Sequence, residues 1–327
     1  MAHYLITGGA GFIGSHLAEA LLGLEHRVTV IDNLSTGRFE NIAPLTDHSQ
    51  FHFAIDTITN EVVMDRLVSE CDVVLHLAAA VGVELIIKDP VNVIETNILG
   101  THSVLKVANR YRKKVLVAST SEIYGKSDQI PFREDDDRVL GTTTVARWSY
   151  SSSKAVDEFL ALAYYRQKYL PVVIFRLFNT VGPRQTGRYG MVVPRFVRQA
   201  LAGDSLTVYG DGSQARCFLH VKDAVRAIVA LAGCPEAVGE VFNVGATEEI
   251  TILGLAQRVL ALVDNVQGKA DGRIRLVPYE EAYEAGFEDM RRRVPDTSKI
   301  RQYVGWEPER SLDEILTDVI GYSLAAA

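Results

Sequence analysis

Short apolar runs alternate with longer amphipathic stretches through the first half of the chain. Tyr4–Thr7 reads as a buried strand, and Phe12–Leu24 carries helical spacing. Arg27–Ile31 is a second, β-branched strand, and Phe51–Ile55 is strand-like. Val73–Leu77, Lys114–Ala118 and Pro171–Phe175 continue the series, with helical segments between them. Runs that are apolar throughout, rather than alternating, belong to strands buried on both faces. The pattern therefore predicts an α/β fold with a doubly wound parallel sheet. After Asn179 the rhythm breaks at a loop-rich stretch, residues 182–190, followed by mixed helices, short strands and a charged C-terminal third. We expect residues 1–179, with about 217–244, to form the sheet domain. Residues 180–216 and 245–327 would form a smaller mixed α/β lobe at the carboxyl edge of the sheet, where ligands bind in open α/β folds.

Composition narrows the choice of chemistry. The net charge is -7 with no basic run, which argues against a nucleic-acid partner. The three cysteines, Cys71, Cys217 and Cys234, are scattered without metal-ligand spacing, so we expect no metal site. A sparse, odd cysteine count with no secretory leader pattern or membrane-length apolar run predicts a cytoplasmic protein away from membranes.

Gly8, Gly11 and Gly14 form a GxxGxxG turn between the first strand and the first helix. Small residues there let backbone approach a pyrophosphate, which the helix N-terminus, with Phe12 and Ile13, meets with free N–H groups. Asp32 ends the second strand, 18 residues beyond Gly14. Its carboxylate can accept from ribose hydroxyls and would repel a 2′-phosphate, so NAD is expected over NADP. Asn33 follows it, and Asp56 sits where an adenine contact is expected. Tyr150 and Lys154 lie four apart at the start of a helical segment and so share a face. An ammonium there lowers the phenol pKa and lets it act as a base. Upstream, Thr120 and Ser121 offer hydroxyls to the same substrate oxygen.

With these motifs the chain resembles the extended short-chain dehydrogenase/reductases, the NAD-dependent epimerase/dehydratase group, whose core is a Rossmann sheet. The resemblance runs over essentially the whole length. It includes His76-Leu77-Ala78-Ala79, Asn97, Phe175–Asn179, Gly182-Pro183-Arg184 and Asn243-Val244-Gly245. It implies NAD contacts from Leu77, Ala78, Ala79, Asn97, Tyr150 and Lys154, oxidation at C4 of a UDP-sugar, and a homodimer through Val93–Asn109 and Ala155–Gln167. The UDP-glucuronate decarboxylases are the most similar group. They share Thr120-Ser121-Glu122-Ile123-Tyr124-Gly125, Arg216-Cys217-Phe218 and the basic cluster Arg291–Arg293, and the apiose and aminoarabinose members also share Arg147-Trp148-Ser149-Tyr150 to Lys154.

By that resemblance Glu122 and Arg293 join Tyr150, Lys154, Thr120 and Ser121 as catalytic residues, with Glu122 an acid/base group beside C5. Arg147, Asn179, Arg188, Val208, Arg216, Phe287 and Arg293 would bind the UDP-sugar. Arg184, Arg188 and Arg195 crowd the lobe junction, Arg195 being read as surface charge. Decarboxylation is the leading expectation, and UDP-glucose or UDP-glucuronate 4-epimerisation the alternative. A 4,6-dehydratase is disfavoured because Ser121 stands where the expelling acid would be. A non-catalytic NAD-binding protein is disfavoured because Tyr150 and Lys154 are both present.

Overall fold

The computed structural model describes all residues except 188–190, 268–273, 279–280, 282–289 and 326–327. Its centre is a seven-stranded sheet. The first six strands along the chain are β1 (His3–Thr7), β2 (Arg27–Asp32), β3 (Phe51–Ile55), β4 (Val73–His76), β5 (Lys114–Thr120) and β6 (Val172–Leu177). The seventh, Val241–Val244, adds to the far edge beside β6, giving the spatial order seventh-β6-β5-β4-β1-β2-β3. Every pairing in it is parallel. The order reverses beside β1, between β1 and β4, which is the crevice where such sheets take ligands.

Alternate side chains of the central strands feed two separate cores, as the period of two requires. Tyr4, Ile6, Leu116, Val173 and Phe175 point into one, against helices α1 (Phe12–Gly23) and Val221–Gly233. Leu5, Val115, Val117, Val172 and Ile174 point into the other. There they meet α2 (Glu61–Glu70), α4 (Pro90–Arg110) and α5 (Trp148–Lys168), while the short α3 (Val83–Lys88) lies just ahead of α4. The continuous apolar runs of the sequence are thus strands covered on both sides.

A third core lies outside the sheet. It joins Val193, Phe196 and Val197 of helix Val192–Leu201, Leu206 and Val208 of strand Leu206–Tyr209, Leu255 and Val259 of helix Ile252–Gln267, and Ile315 and Val319 of helix Leu312–Ala325. Its residues all lie beyond Asn179, and we call this region the second lobe. Part of its sequence crosses back, because Ile300 and Trp306 pack in the first core of the sheet. A small sheet of Ala215–Cys217, Glu249–Thr251 and Arg292–Arg293 carries Arg216 and Arg293 toward the sheet edge.

Candidate active site

A cleft of about 930 Å³ runs between the carboxyl ends of the strands and the second lobe. At one end lies the glycine turn. A Cβ on Gly8 would meet Ala78 N at 2.9 Å, and one on Gly14 would meet Gly8 O at 2.3 Å. Gly8 also has φ +70°, in the left-handed region where glycine is unstrained. The turn therefore presses strand, loop and helix together as no larger residue allows. It leaves the N-terminus of α1 without any side-chain cap, so its backbone N–H groups face the cleft as anion donors.

Asp32 closes β2 at the same end. Its two carboxylate oxygens accept from Ala10 N at 3.0 Å and Leu34 N at 2.8 Å. Burial raises its pKa, and those backbone donors oppose the rise. Acceptor capacity remains on both oxygens. Asn33, Asp56, Leu77, Ala78 and Ala79 line the cleft alongside, with Gly11, Phe12 and Ile13. An uncapped helix end, a steric need for glycine and a carboxylate at the tip of β2 together fit a dinucleotide.

At the other end β5 delivers Thr120 into a single helical turn, Ser121–Tyr124, opposite the first turns of α5. The hydroxyl of Thr120 lies near the phenol of Tyr150 and opposes the rise of its pKa, and it accepts from Glu122 N at 3.2 Å. Tyr150, Lys154, Thr120, Ser121, Glu122, Arg147, Asn179, Arg216 and Arg293 all border the cleft. Within the basic cluster the strand period separates two roles. Arg292 faces out to Glu249, while Arg293 turns in, its Nη1 3.3 Å from Ser121 Oγ and 3.5 Å from Glu122. Glu122 is gripped from the other side by Arg147, one of whose bonds is 2.9 Å long. Burial pushes the Glu122 carboxyl up, but Arg147 and Arg293, with Arg216 beyond, overcome it and hold its pKa near about 2. A carboxyl so held carries no proton at neutral pH, so it stands there as an acceptor rather than a proton donor.

Other expectations are also revised. Burial is the main influence on Tyr150, reinforced by Glu122 and Asp157, and it raises the phenol above its ordinary range. The Lys154 ammonium lies 2.8 Å from Asp157. Asn97 does not border the cleft. Its carboxamide accepts from Ala80 N at 2.8 Å and donates to Ser153 Oγ at 3.2 Å, so it fixes the loop after β4. Val208 is fully buried in the third core, and its neighbour Tyr209 lines the cleft instead. Arg147 spends two guanidinium nitrogens on Glu122. Arg195 is not surface charge. It borders the cleft with its guanidinium 4.2 Å over the Tyr209 ring. Arg184 pairs with Glu19 at 2.5 Å, away from the cleft lining. Arg188 and Phe287 lie outside the described residues. The sequence reading missed Gln214 and Gln185, while Tyr209 falls within Val208–Asp211, the segment the resemblance places around the base. Tyr209 and Gln214 flank an Asp-Gly turn, the one local signal that marks them.

A doubly wound sheet, a glycine turn below an uncapped helix and a Tyr/Lys pair in one cleft define an enzyme of the short-chain dehydrogenase type. The model of the GDP-mannose 4,6 dehydratase family matches residues 5–319, and the chain belongs to that family. A UDP-N-acetyl-alpha-D-glucosaminuronate decarboxylase of Bacillus cytotoxicus is 44% identical over 317 residues, 97% of this chain and 96% of that protein. UDP-glucuronic acid decarboxylase 1 of Danio rerio is 37% identical over 97% of this chain and 72% of its own. Among solved structures, the UDP-glucuronic acid 4-epimerase of Bacillus cereus, in complex with UDP-glucuronic acid and NAD, superposes with a TM-score of 0.87. It is 30% identical and matches 99% of this chain and 100% of its own.

Proposed function

We propose that this protein is an NAD-dependent UDP-uronate decarboxylase, acting on UDP-glucuronate or its 2-acetamido counterpart. The observation that carries the reading is Arg293. It is an inward-facing guanidinium, anchored by Ser121 and Glu122, in the same cleft as Tyr150 and Thr120. A planar fork of this kind suits a substrate carboxylate. The 44% identical relative is named as a decarboxylase of an acetamido uronate, which supports the same chemistry.

The dinucleotide supplies the hydride acceptor for oxidation at C4. Tyr150 takes the C4 hydroxyl proton, with Lys154 supporting the phenolate. The resulting 4-keto uronate is a β-keto acid. Its C5–C6 bond breaks, CO₂ leaves, and the electron pair passes to the ketone oxygen, where Thr120 and the Tyr150 phenol donate to the enolate. Glu122 acts here as a fixed anion that orients Arg293. Gly8, Gly11, Gly14 and Asp32 hold the cofactor. Asn179, Arg216, Arg195 and Tyr209 hold the nucleotide diphosphate in the second lobe. Among the described residues no helix is long and apolar enough to cross a membrane. A homodimer forms through α4 and α5, whose outward faces expose Val91, Ile94, Val156 and Phe159.

The test is direct. Purified enzyme is mixed separately with UDP-glucuronate, UDP-N-acetylglucosaminuronate and UDP-glucose, and the products are read by NMR. CO₂ with a UDP-pentose or 4-keto-pentose is expected from a uronate. A galacto-configured product of unchanged mass would replace this reading with 4-epimerisation, the activity named for the Bacillus cereus neighbour.

A further inference from the structure

The ammonium of Lys154 is buried against a carboxylate that no motif marked. Asp157 lies one turn further along α5, has no exposed surface, and sits 2.8 Å from Lys154 Nζ. A fully buried ion pair contributes little net stability, because desolvation offsets the attraction, and an apolar side chain can fill such a site at no loss. The carboxylate therefore needs another reason to be there.

Its surroundings supply one. The hydroxyl of Thr101 lies near Asp157 and favours its ionised form. Thr101 Oγ1 is also 3.0 Å from His76 Nε2, and His76 Nδ1 is 2.8 Å from Thr7 Oγ1. Thr7 Oγ1 in turn accepts from Ala78 N at 3.2 Å. Each hydroxyl has one hydrogen, so with the Thr101 hydrogen turned toward Asp157 one donor order satisfies the rest: Ala78 N–H to Thr7, Thr7 to His76, and His76 Nε2–H to Thr101. That order requires a neutral imidazole. Burial, with Lys154 nearby, holds the His76 pKa down to about 3. A buried chain thus runs from the cleft-lining loop after β4 to Thr101, beside the Lys154–Asp157 pair.

We propose that Asp157 is a positioning residue of the reaction: it stands at the end of this chain, fixes Lys154, and takes up part of its charge, so that Tyr150 ionises under a balance of three groups. The proposal rests on the reading of Tyr150 as the base. The other charges facing these groups are accounted for. Glu122 faces Tyr150 from the turn after β5, and Arg147 faces it from the start of α5. Arg293 faces Glu122 from its short strand. Glu158, beside Asp157, is held by two nitrogens of Arg176 from β6. The groups from α4, Thr101 and Asn97, are uncharged.

The Asp157→Asn variant keeps the shape and an acceptor for Thr101 while removing the charge. With the opposing carboxylate gone, the acid limb of the kcat–pH profile is expected to move down by about one pH unit. Asp157→Glu restores the charge, and its limb should return toward the wild-type position. The same displacement should appear in the 295 nm phenolate difference between NAD-loaded proteins with and without Tyr150→Phe. An Asp157→Asn limb coincident with the wild type, in a folded enzyme that retains NAD, would overturn the proposal. If Asp157→Asn does not fold, carboxyl NMR of the ¹³C-aspartate-labelled enzyme decides. The Asp157 signal should titrate at higher pH in Lys154→Met, and an unmoved titration would overturn it. Failure of the wild type to turn over any UDP-uronate would sink the functional reading instead, leaving the carboxyl titration to judge Asp157.

Discussion

Arg147 closes two nitrogens of its guanidinium on the two carboxylate oxygens of Glu122, and both side chains are almost wholly out of water. Arg293 approaches the same carboxylate at 3.5 Å from the other side. Two cations around one buried anion make the triad net positive at the inner end of the cleft. A second anion, the carboxylate of a uronate, is what such a site is short of. Glu122 is then the piece that holds two like charges together.

The Glu122 pKa lies near about 2 in the folded protein against 4.5 ordinarily. A depressed folded value stabilises the fold above the unfolded value, and that contribution is lost as pH falls through the folded one. Glu122 therefore steepens acid unfolding between about pH 4.5 and pH 2. Urea unfolding of Glu122→Gln across this window should show a shallower pH dependence than the wild type. Parallel curves would show that Arg147 and Arg293 do not hold the carboxylate ionised.

Arg293→Lys keeps the charge but loses the fork that spans Ser121 and Glu122. On a UDP-uronate we expect kcat/KM to fall by roughly 100-fold, the scale of one lost charge-assisted pair. NAD affinity should stay at the wild-type level, since Arg293 lies at the far end of the cleft from Asp32. Equal losses in cofactor binding and turnover would mean that Arg293 merely supports the fold.

Gly14 and Gly23 sit on one helix and should respond with opposite sign. A methyl on Gly14 would lie 2.3 Å from Gly8 O, whereas one on Gly23 meets nothing within 4 Å. Gly14→Ala should lower the melting temperature and abolish NAD binding. Gly23→Ala should leave binding intact and stabilise by up to about 0.5–1 kcal/mol. Calorimetry with and without NAD reads both, and a Gly14→Ala protein that still takes NAD would remove the close-approach account of the turn.

The readable parts of this site were those whose chemistry is local. The glycine turn, Asp32 and the Tyr/Lys pair each lie within a few residues of a strand end, and strand ends follow from apolar runs. Arg195 and Val208 were misread because their fates depend on how a second lobe folds back over the sheet, which no periodicity encodes. Asn97 lies on the buried side of α4, where its carboxamide has the Ala80 backbone to satisfy. Asp157 was visible at the i+3 position from Lys154. A carboxylate three residues from a lysine on a helix reads as a solvated pair until the burial of both is known.

Asp32 should decide between dinucleotides. Asp32→Asn retains the shape and an acceptor for only one of Ala10 N and Leu34 N, and removes the charge that opposes a 2′-phosphate. NAD affinity should fall by about tenfold and NADP affinity should rise. Because burial raises the Asp32 pKa, wild-type NAD affinity should also weaken as pH falls, earlier than an ordinary aspartate would cause. Fluorescence titrations with both nucleotides across pH separate these effects, and an unchanged NAD-to-NADP ratio in the variant would exclude Asp32 as the selector.

The exposed side of α5 places Phe159 in water at 66% of its surface, with Val156 one turn before it and Val91 and Ile94 on the neighbouring α4. Apolar side chains so grouped on two packed helices favour burial against a like face, and in the proposed homodimer a two-fold axis through α4 and α5 would pair them with themselves. Phe159→Asp would set two carboxylates against each other across that axis. Sedimentation should show a dimer for the wild type and a monomer for the variant, at unchanged helical content. The catalytic cleft opens at the strand ends, but Asn92, Glu95 and Thr96 of α4 also border it. Loss of the dimer should therefore loosen α4 and raise KM more than it lowers kcat. A variant that remains dimeric would move the subunit contact to another face.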